Sequence, residues 1–585
     1  MRVSYLNEIS EPKDTAMAKV AGSPSNQQPP SITTKAAAGQ QRLRGPMFVG
    51  LTMLIAALVL FPIGSLVWTA LTGTPDSLGH IARYVLPFTI STTFWLMLGV
   101  IVGTGVIGTF SAWLVMTFRF PGARLFLWAL VLPLAVPSYL SAYAFVEFFS
   151  FTGPLQESLR AVTGFESARQ YWFPSIRNTG GAVLVLSVVF YPYVFLAVVA
   201  LLKLQGNRLV EASRALGQGP FGTLVRVLLP ALRPAIAAGV VLALMETLND
   251  IGAVEYLGVE TLTFTIFDTW LSRRDIAGAA QLTMVLLIFV YMLVLTERWA
   301  RRRQQARRGS SERAGPPRQQ LRGVWALLAI LWCSLPVLLG FGVPLWVLGG
   351  YAVDRLDLLT DADLHRALLT SLQLALGAAV LTVLAGVIMV YTLRLQAGPH
   401  RGLHLIVRFA SLGYAVPGTI LALGLFVPLA ALDNLLAGWL RMGLGFSVGL
   451  LFTGSGALIL LAYLIRFLAL AEGNIDGGFR NIPLARDDAS RTLGQGGLMT
   501  LLRVHLPALW PSLSVAALLV FIEALKELSA TIFLRPFGLN TLSTFIYDFA
   551  SRARVEETGV ACLIIVLLGV VPVILVSRRI AQEPR

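Results

Sequence analysis

Apolar runs long enough to cross a bilayer recur along the whole chain, and few folds can accommodate that. Clear examples are Pro46–Leu71, Gly180–Leu202, Leu282–Trp299 and Val560–Val576. As helix, about 20 residues cover the ~30 Å hydrocarbon core. Only where such runs dominate does composition look like this: 56% apolar residues, 13% charged, mean hydropathy +0.72. A soluble chain of 585 residues needs far more polar surface. The expectation is an all-α polytopic membrane protein.

Twelve spans are expected, near 46–71, 88–118, 124–149, 180–203, 233–254 and 280–299, then 323–350, 367–393, 403–430, 449–470, 511–533 and 559–577. Excess Lys and Arg mark cytoplasmic loops. By that rule the inside carries Arg119 and Arg124, then Lys203–Arg233, Arg298–Arg322, Arg394–Arg408, Arg466–Arg503 and finally Arg578 and Arg579. The opposite loops are mixed or acidic, as at Asp354, Asp357, Asp361 and Asp363. An even count puts both termini inside. Residues 1–44 lack the apolar core of a signal peptide and read as a disordered cytoplasmic tail. The net charge of +15 is thus explained by topology, without a nucleic-acid partner. Cys333 and Cys562 fall inside apolar runs far apart, which indicates neither a disulfide nor a metal site.

The chain repeats itself. EASRALGQGPFGTLVRVLLPALRP at 211–234 aligns with DASRTLGQGGLMTLLRVHLPALWP at 488–511, a constant offset of 277 residues. Ala135–Val136–Pro137 matches Ala415–Val416–Pro417, Glu246 matches Glu523, and TLTFTIFD at 261–268 resembles TLSTFIYD at 541–548. A charged linker, 301–321, separates a first domain at 45–300 from a second at 322–580. With six spans each, the halves insert in the same orientation, as two homologous six-helix bundles related by a pseudo-twofold along the membrane normal. A central pathway suits that arrangement.

Each repeated segment falls on the basic side, between spans four and five of its half, in loops 205–232 and 475–510. In the first, Glu211–Leu216 reads as a short helix reversed at Gly217, followed by a second stretch that stops at Pro230. Leu216, Phe221, Leu224, Val225 and Leu228 offer an apolar face, with Glu211 and Arg214 at its rim. This pattern resembles the signature of the membrane subunits of binding-protein-dependent ATP-binding-cassette importers. That signature is Glu-Ala-Ala, three residues, Gly, nine residues, then Ile-x-Leu-Pro. It stands here as Glu211, Ala212, Ser213, Gly217 and Pro230, and again as Asp488, Ala489, Ser490, Gly494 and Pro507. The resemblance implies that each loop is a coupling helix seated in a cleft of an ATPase subunit, two subunits in all. It also implies a substrate-binding protein and a place in the bacterial inner membrane. Asp488 keeps the charge of Glu211 with less reach, so the two docking contacts are expected to differ.

The chain encodes no nucleotide loop: none of its lysines, Lys13, Lys19, Lys35, Lys203 and Lys526, stands in a Gly-Lys-Ser/Thr setting. No cofactor is therefore expected on this chain; ATP and Mg belong to the partner. No His/Cys cluster has metal-ligand spacing and no nucleophile pairs with a base, which excludes the enzyme classes those groups serve. Polar residues do fall inside spans: Glu246, Asn249 and Asp250 in span five, and Glu523, Lys526 and Glu527 in span eleven. Each carboxylate pair is spaced i,i+4, as on one helix face. A charge at membrane centre costs about 3 kcal/mol or more, so these groups should face the bundle interior. They are candidates for a translocation pathway, with structural pairing, Glu523 with Lys526 for instance, as the bland alternative. Pro137 and Pro417 should kink span three and its repeat, and Glu147, Tyr139 and Tyr143 share the first of those helices.

METLNDIGAVEYLG at 245–258 and FIEALKELSATIFLRPFGLNTL at 521–542 look like the matching stretches of fused ferric-iron permeases. That likeness implies a periplasmic ferric-iron-binding protein as partner and iron(III), a hard cation suited to oxygen ligands, as cargo. Permeases for thiamine, aminoethylphosphonate and other small solutes share the architecture. A secondary transporter driven by an ion gradient would use intramembrane acids but would not need paired docking loops.

Overall fold

The computed structural model describes residues 32–72, 79, 81–205, 211, 213, 215–305, 319–396, 401–410, 413, 416–444 and 449–581. The expected tail is covered only from Ile32, the linker only at its ends, and Ala212, Arg214 and Ala415 lie outside the described residues. The described residues are helical almost throughout. Among the described residues ten helices are long and apolar enough to cross a membrane, and an eleventh candidate is the bent pair Ala123–Ala135 and Ser138–Thr163. The 23-residue helix Gly559–Ala581 occupies the place of the twelfth expected span.

Several helices depart from the boundaries read above. The first runs Ile32–Leu71, so 32–44 is helix, not disordered tail. Its residues ITTKAAAGQQRLR are rich in good helix formers and continue an apolar run. Span three is broken, not kinked: the two members of the pair meet at 92°. Proline drives the residue before it out of the helical region, and Val136 is extended (φ −97°, ψ 119°) ahead of Pro137. Its repeat is interrupted likewise between Arg401–Ala410 and Gly418–Leu444. Spans five and eleven also stop short. Helix Leu229–Asn249 ends at Asp250, which caps the short helix Ile251–Tyr256, and Leu506–Leu525 ends at Lys526.

Pro230, expected to stop the second stretch of the first loop, does not, and its counterpart Pro507 behaves the same way. Continuous helices run Pro220–Asn249 and Gly497–Leu525 through both prolines. Just before each proline one turn is wound as π-helix, Leu224–Leu228 and Leu501–His505, closing on i→i−5 bonds from Leu229 and Leu506. The wider turn reassigns the hydrogen bonds around a residue that has no N–H to give.

The two halves are interlocked. Helix Ile32–Leu71 of the first half lies against Ala362–Leu395 and Gly418–Leu444 of the second. Thr52 Oγ1 donates to Thr392 Oγ1 at 2.8 Å, Phe48 meets Tyr391 edge-on, and a Cβ on Gly424 would collide with the Pro62 carbonyl oxygen. Reciprocally, the helix through Val324–Asp354 packs on the first half. Trp332 Nε1 donates to Ser111 Oγ at 3.1 Å, and Gly340 leaves room only for the Val188 carbonyl. The end of the linker adds a short parallel strand pair, Gln319–Gln320 on Phe118–Arg119.

Candidate functional site

Irregular backbone is tolerated at membrane depth only where protein buries it or a cavity receives it. The breaks at 134–139, 249–250 and 526–529 all line one cleft between the halves, of about 60 Å3, room for a few waters. The remaining break reaches the same place: the Gly418 N–H donates to Asn249 Oδ1 at 2.8 Å.

All six intramembrane residues singled out from sequence line this cleft: Glu246, Asn249 and Asp250 from the first half, Glu523, Lys526 and Glu527 from the second. The i,i+4 helix-face argument does not survive, because each helix ends between its two acids. The acids reach the cleft through the breaks instead. Asp250 Oδ1 accepts the Ala253 N–H at 2.9 Å, and Glu527 Oε1 accepts the Ala530 N–H at 2.9 Å. These two contacts are copies, 277 residues apart. Lys526 pairs with Glu523 at 2.8 Å, the pairing that the bland alternative anticipated. Among the described residues no group of three or more His, Cys, Asp or Glu converges to hold a metal ion. Both cysteines are free and buried.

Arg466 falls both within the expected span 449–470 and among the arginines assigned to the cytoplasm, and the second assignment is corrected: it lies inside helix Ala457–Arg480, is 4% exposed, and lines the cleft. Its guanidinium sits 3.3 Å from Glu527 Oε2 and donates to Asn249 Oδ1 at 2.6 Å. Asn249 therefore ties three elements together, since its carbonyl also accepts from Ser529 Oγ. The signal was present in AYLIRFLALA, a lone cation deep in an apolar run. With Arg466 counted, the cleft holds four carboxylates against two side-chain cations. Nearby, Tyr139 lines the cleft and Tyr143 is buried beside it, while Glu147 accepts from Tyr256 at 3.3 Å and from Tyr351 of the other half at 3.4 Å.

The repeated loops have matching geometry. Gly217 (φ +77°) and Gly494 (φ +74°) each reverse the chain in the left-handed region. Behind each turn the buried hydroxyls of Ser213 and Thr223 lie 3.0 Å apart, and those of Ser490 and Thr500 2.8 Å apart. Glu211 and Asp488 are exposed, as are Leu216, Phe221 and Val225 in the first loop and Leu493, Leu498, Met499 and Leu502 in the second. Leu224 and Leu228, expected on the outer face, are buried and hold the loop down. Contiguous exposed apolar groups of this kind mark an interaction surface. The second loop has a brace whose acid and histidine the first does not carry in sequence. Asp487 bridges Arg394 (2.8 Å) and His505 (2.7 Å), where the first loop has Leu228 at the place of His505.

Comparison with known proteins accords with this picture. The family model described as the binding-protein-dependent transport system inner membrane component matches residues 104–308 and again 399–585. The chain is 25% identical over 500 residues to an Fe(3+)-transport system permease protein, FbpB 2, of Haemophilus influenzae, covering 84% of this chain and 89% of that one. It is 23% identical to the ferric transport system permease protein FbpB of Actinobacillus pleuropneumoniae, over 75% of this chain and 64% of the relative. A putative 2-aminoethylphosphonate transport system permease, PhnU, of Salmonella choleraesuis is 26% identical over 40% of this chain and 85% of its own length. The family consists of non-enzymatic permease subunits that work with a substrate-binding protein and an ATPase. Matched twice along its length, this multi-pass chain belongs to the inner-membrane components of binding-protein-dependent transport systems.

Proposed function

We propose that the chain is the permease of a ferric-iron importer, with its pathway at the cleft between the halves. The observation that carries this reading is that four carboxylates, Glu246, Asp250, Glu523 and Glu527, line that cleft at the broken ends of helices from both halves, without closing, among the described residues, into a metal-holding cluster. Oxygen ligands suit a hard trivalent cation, and relatives matched along most of the chain are named for ferric transport. In this reading each loop docks on one ATPase subunit through Glu211, Ala212, Ser213, Gly217 and Pro230, or through Asp488, Ala489, Ser490, Gly494 and Pro507. Their exposed apolar residues enter the ATPase cleft. Both termini lie in the cytoplasm beside those subunits. ATP and Mg are bound by the ATPases, and this chain carries no cofactor. Closure of the ATPase pair on ATP moves the loops, and the halves rock to receive iron from a periplasmic ferric-iron-binding protein. Differential contacts in the two states supply the coupling.

Uptake of labelled ferric iron, thiamine and aminoethylphosphonate, compared in cells with and without the chain, tests the cargo. Loss of iron uptake alone is expected. Unchanged iron uptake with loss of another solute would overturn the cargo while leaving the importer reading intact. Arg466 and Lys526 in the cleft, together with the aminoethylphosphonate relative, favour an anion as the second reading. For the loops, Glu211→Arg with Asp488→Arg should abolish uptake while the chain remains inserted; normal uptake in that double variant would sink the docking assignment.

A further inference from the structure

The repeat that builds the cleft is broken at one pair of positions. Asp250 and Glu527 are equivalents, each with one oxygen held by a backbone N–H at 2.9 Å. Glu527 Oε2, the other oxygen, is met by the Arg466 guanidinium at 3.3 Å. The residue 277 positions before Arg466 is Val189, which lines the same cleft and carries no charge. Asp250 Oδ2 correspondingly has no hydrogen-bond partner among the described residues, although Asp250 is only 6% exposed and lines the cleft. The Ser138 hydroxyl is close enough to act as a hydrogen-bonding neighbour of the Asp250 carboxyl, but it is neutral, and no bond of normal geometry reaches Oδ2. A buried carboxylate oxygen without a partner is costly, and one at a cleft between moving halves is a place for a ligand.

We propose that Asp250 Oδ2 is the acceptor point for the transported cation. There a hard, multivalent metal ion takes the position that the Arg466 guanidinium holds at Glu527. The inference rests on the ferric-iron reading and narrows it to one residue and to cargo carrying positive charge. A single open carboxylate within a pathway suits transit, since an ion held by a full ligand cage would not leave. Arg466 then has a definite part: of the equivalent pair Asp250 and Glu527 it neutralises the second, as Lys526 neutralises Glu523, so that the repeat-related sites do not compete for the cation.

The test uses the full chain assembled with its ATPase and binding protein in proteoliposomes, supplied with radiolabelled ferric iron. Asp250→Asn keeps an amide oxygen to cap Ala253 and removes the charge. Val189→Arg supplies the missing guanidinium, and Val189→Met adds bulk without charge. Co-purification with the ATPase reports whether each variant has folded. Both D250N and V189R are expected to lower the initial rate at least tenfold, and V189M to lose less than V189R. Near-wild-type uptake in D250N, or equal losses in V189M and V189R, would overturn the proposal. If D250N fails to assemble, the Val189 pair decides alone. If wild type ignores iron but accumulates sulfate or aminoethylphosphonate, the cargo reading itself falls and takes this inference with it. Iron uptake by wild type and by both charge variants removes the inference alone.

Discussion

Gly217 and Gly494 show how little a docking loop leaves to choice at one position. Each has positive φ, and a Cβ added at either would meet nothing within 4 Å. The cost of a side chain there is therefore backbone strain alone, about 1–2 kcal/mol for a residue that avoids the left-handed region. Asn tolerates that region and Val does not. Gly217→Asn should retain most binding-protein-stimulated ATP hydrolysis and Gly217→Val should lose it; equal behaviour of the two would show that the turn conformation is not what matters. Arg466 sets a different constraint. Removing one member of a buried ion pair strands the other, at roughly 3–5 kcal/mol. Arg466→Met should lower the thermal midpoint markedly, and adding Glu527→Gln should recover much of the loss, since an amide needs no counter-cation. A double variant no more stable than R466M would mean that the guanidinium acts through Asn249 instead. The acids of the cleft were legible because charge inside an apolar run is rare. Arg466 obeys the same rule, yet the positive-inside rule drew it into a loop.

At the scale of helices, the apolar runs located the spans but not their interruptions. Proline at 137 and 417 signalled a disturbance, and only packing decides between kink and break: here the freed backbone has a cleft and Asn249 to satisfy it. The end at Leu525 left no such mark, because IEALKE continues as good helix formers, whereas Asn249 and Asp250 are poor helix formers that favour caps, and their polarity was read only as pathway lining. The asymmetry of the loops was half visible. Asp488 for Glu211 could be read directly, but Asp487 gains its meaning from Arg394, 93 residues away. Arg394 also donates to the carbonyls of Phe479 and Ile482, so the brace stitches the loop to the end of the preceding helix. Asp487→Asn should loosen 480–505 by about 3 kcal/mol, the low end of the scale for a broken buried pair, read as faster hydrogen exchange there and unchanged exchange at 215–230. Equal loosening of both loops would show that the brace supports the whole cytoplasmic face instead of one docking element.

For the molecule as a whole, the repeat and the linker suggested two bundles side by side, and the structure gives two whose first helices reach across to the other half while still touching their own. Sequence periodicity cannot report that crossing, since a helix shows an apolar face to either neighbour alike. The evidence is in contacts made by small and polar groups: Thr52 with Thr392, Ser111 with Trp332, Gly424 under the Pro62 carbonyl. Between membrane helices, where lipid removes most of the hydrophobic drive, close approach and interhelical hydrogen bonds hold the contact, each bond worth about 0.6–2 kcal/mol. Interlocked halves do not need a covalent tether to find each other; the linker only raises their effective concentration. Residues 1–310 and 311–585 expressed as separate chains should therefore co-purify and restore uptake. Removing Ile32–Leu71 from the first fragment should abolish co-purification, because Tyr391, Thr392 and Gly424 of the second half would then face lipid in place of their partner. Two independent bundles meeting only at the cleft would give the opposite result: the truncated fragment would pair as well as the full one. The same experiment bears on transport. If each half carries the other's first helix, rocking must shear those contacts or move the helices with their hosts, and a cross-link between positions 52 and 392 distinguishes the two. Uptake that survives the cross-link means that the crossing helix travels with the second half. Uptake that stops places the moving boundary between that helix and the second half.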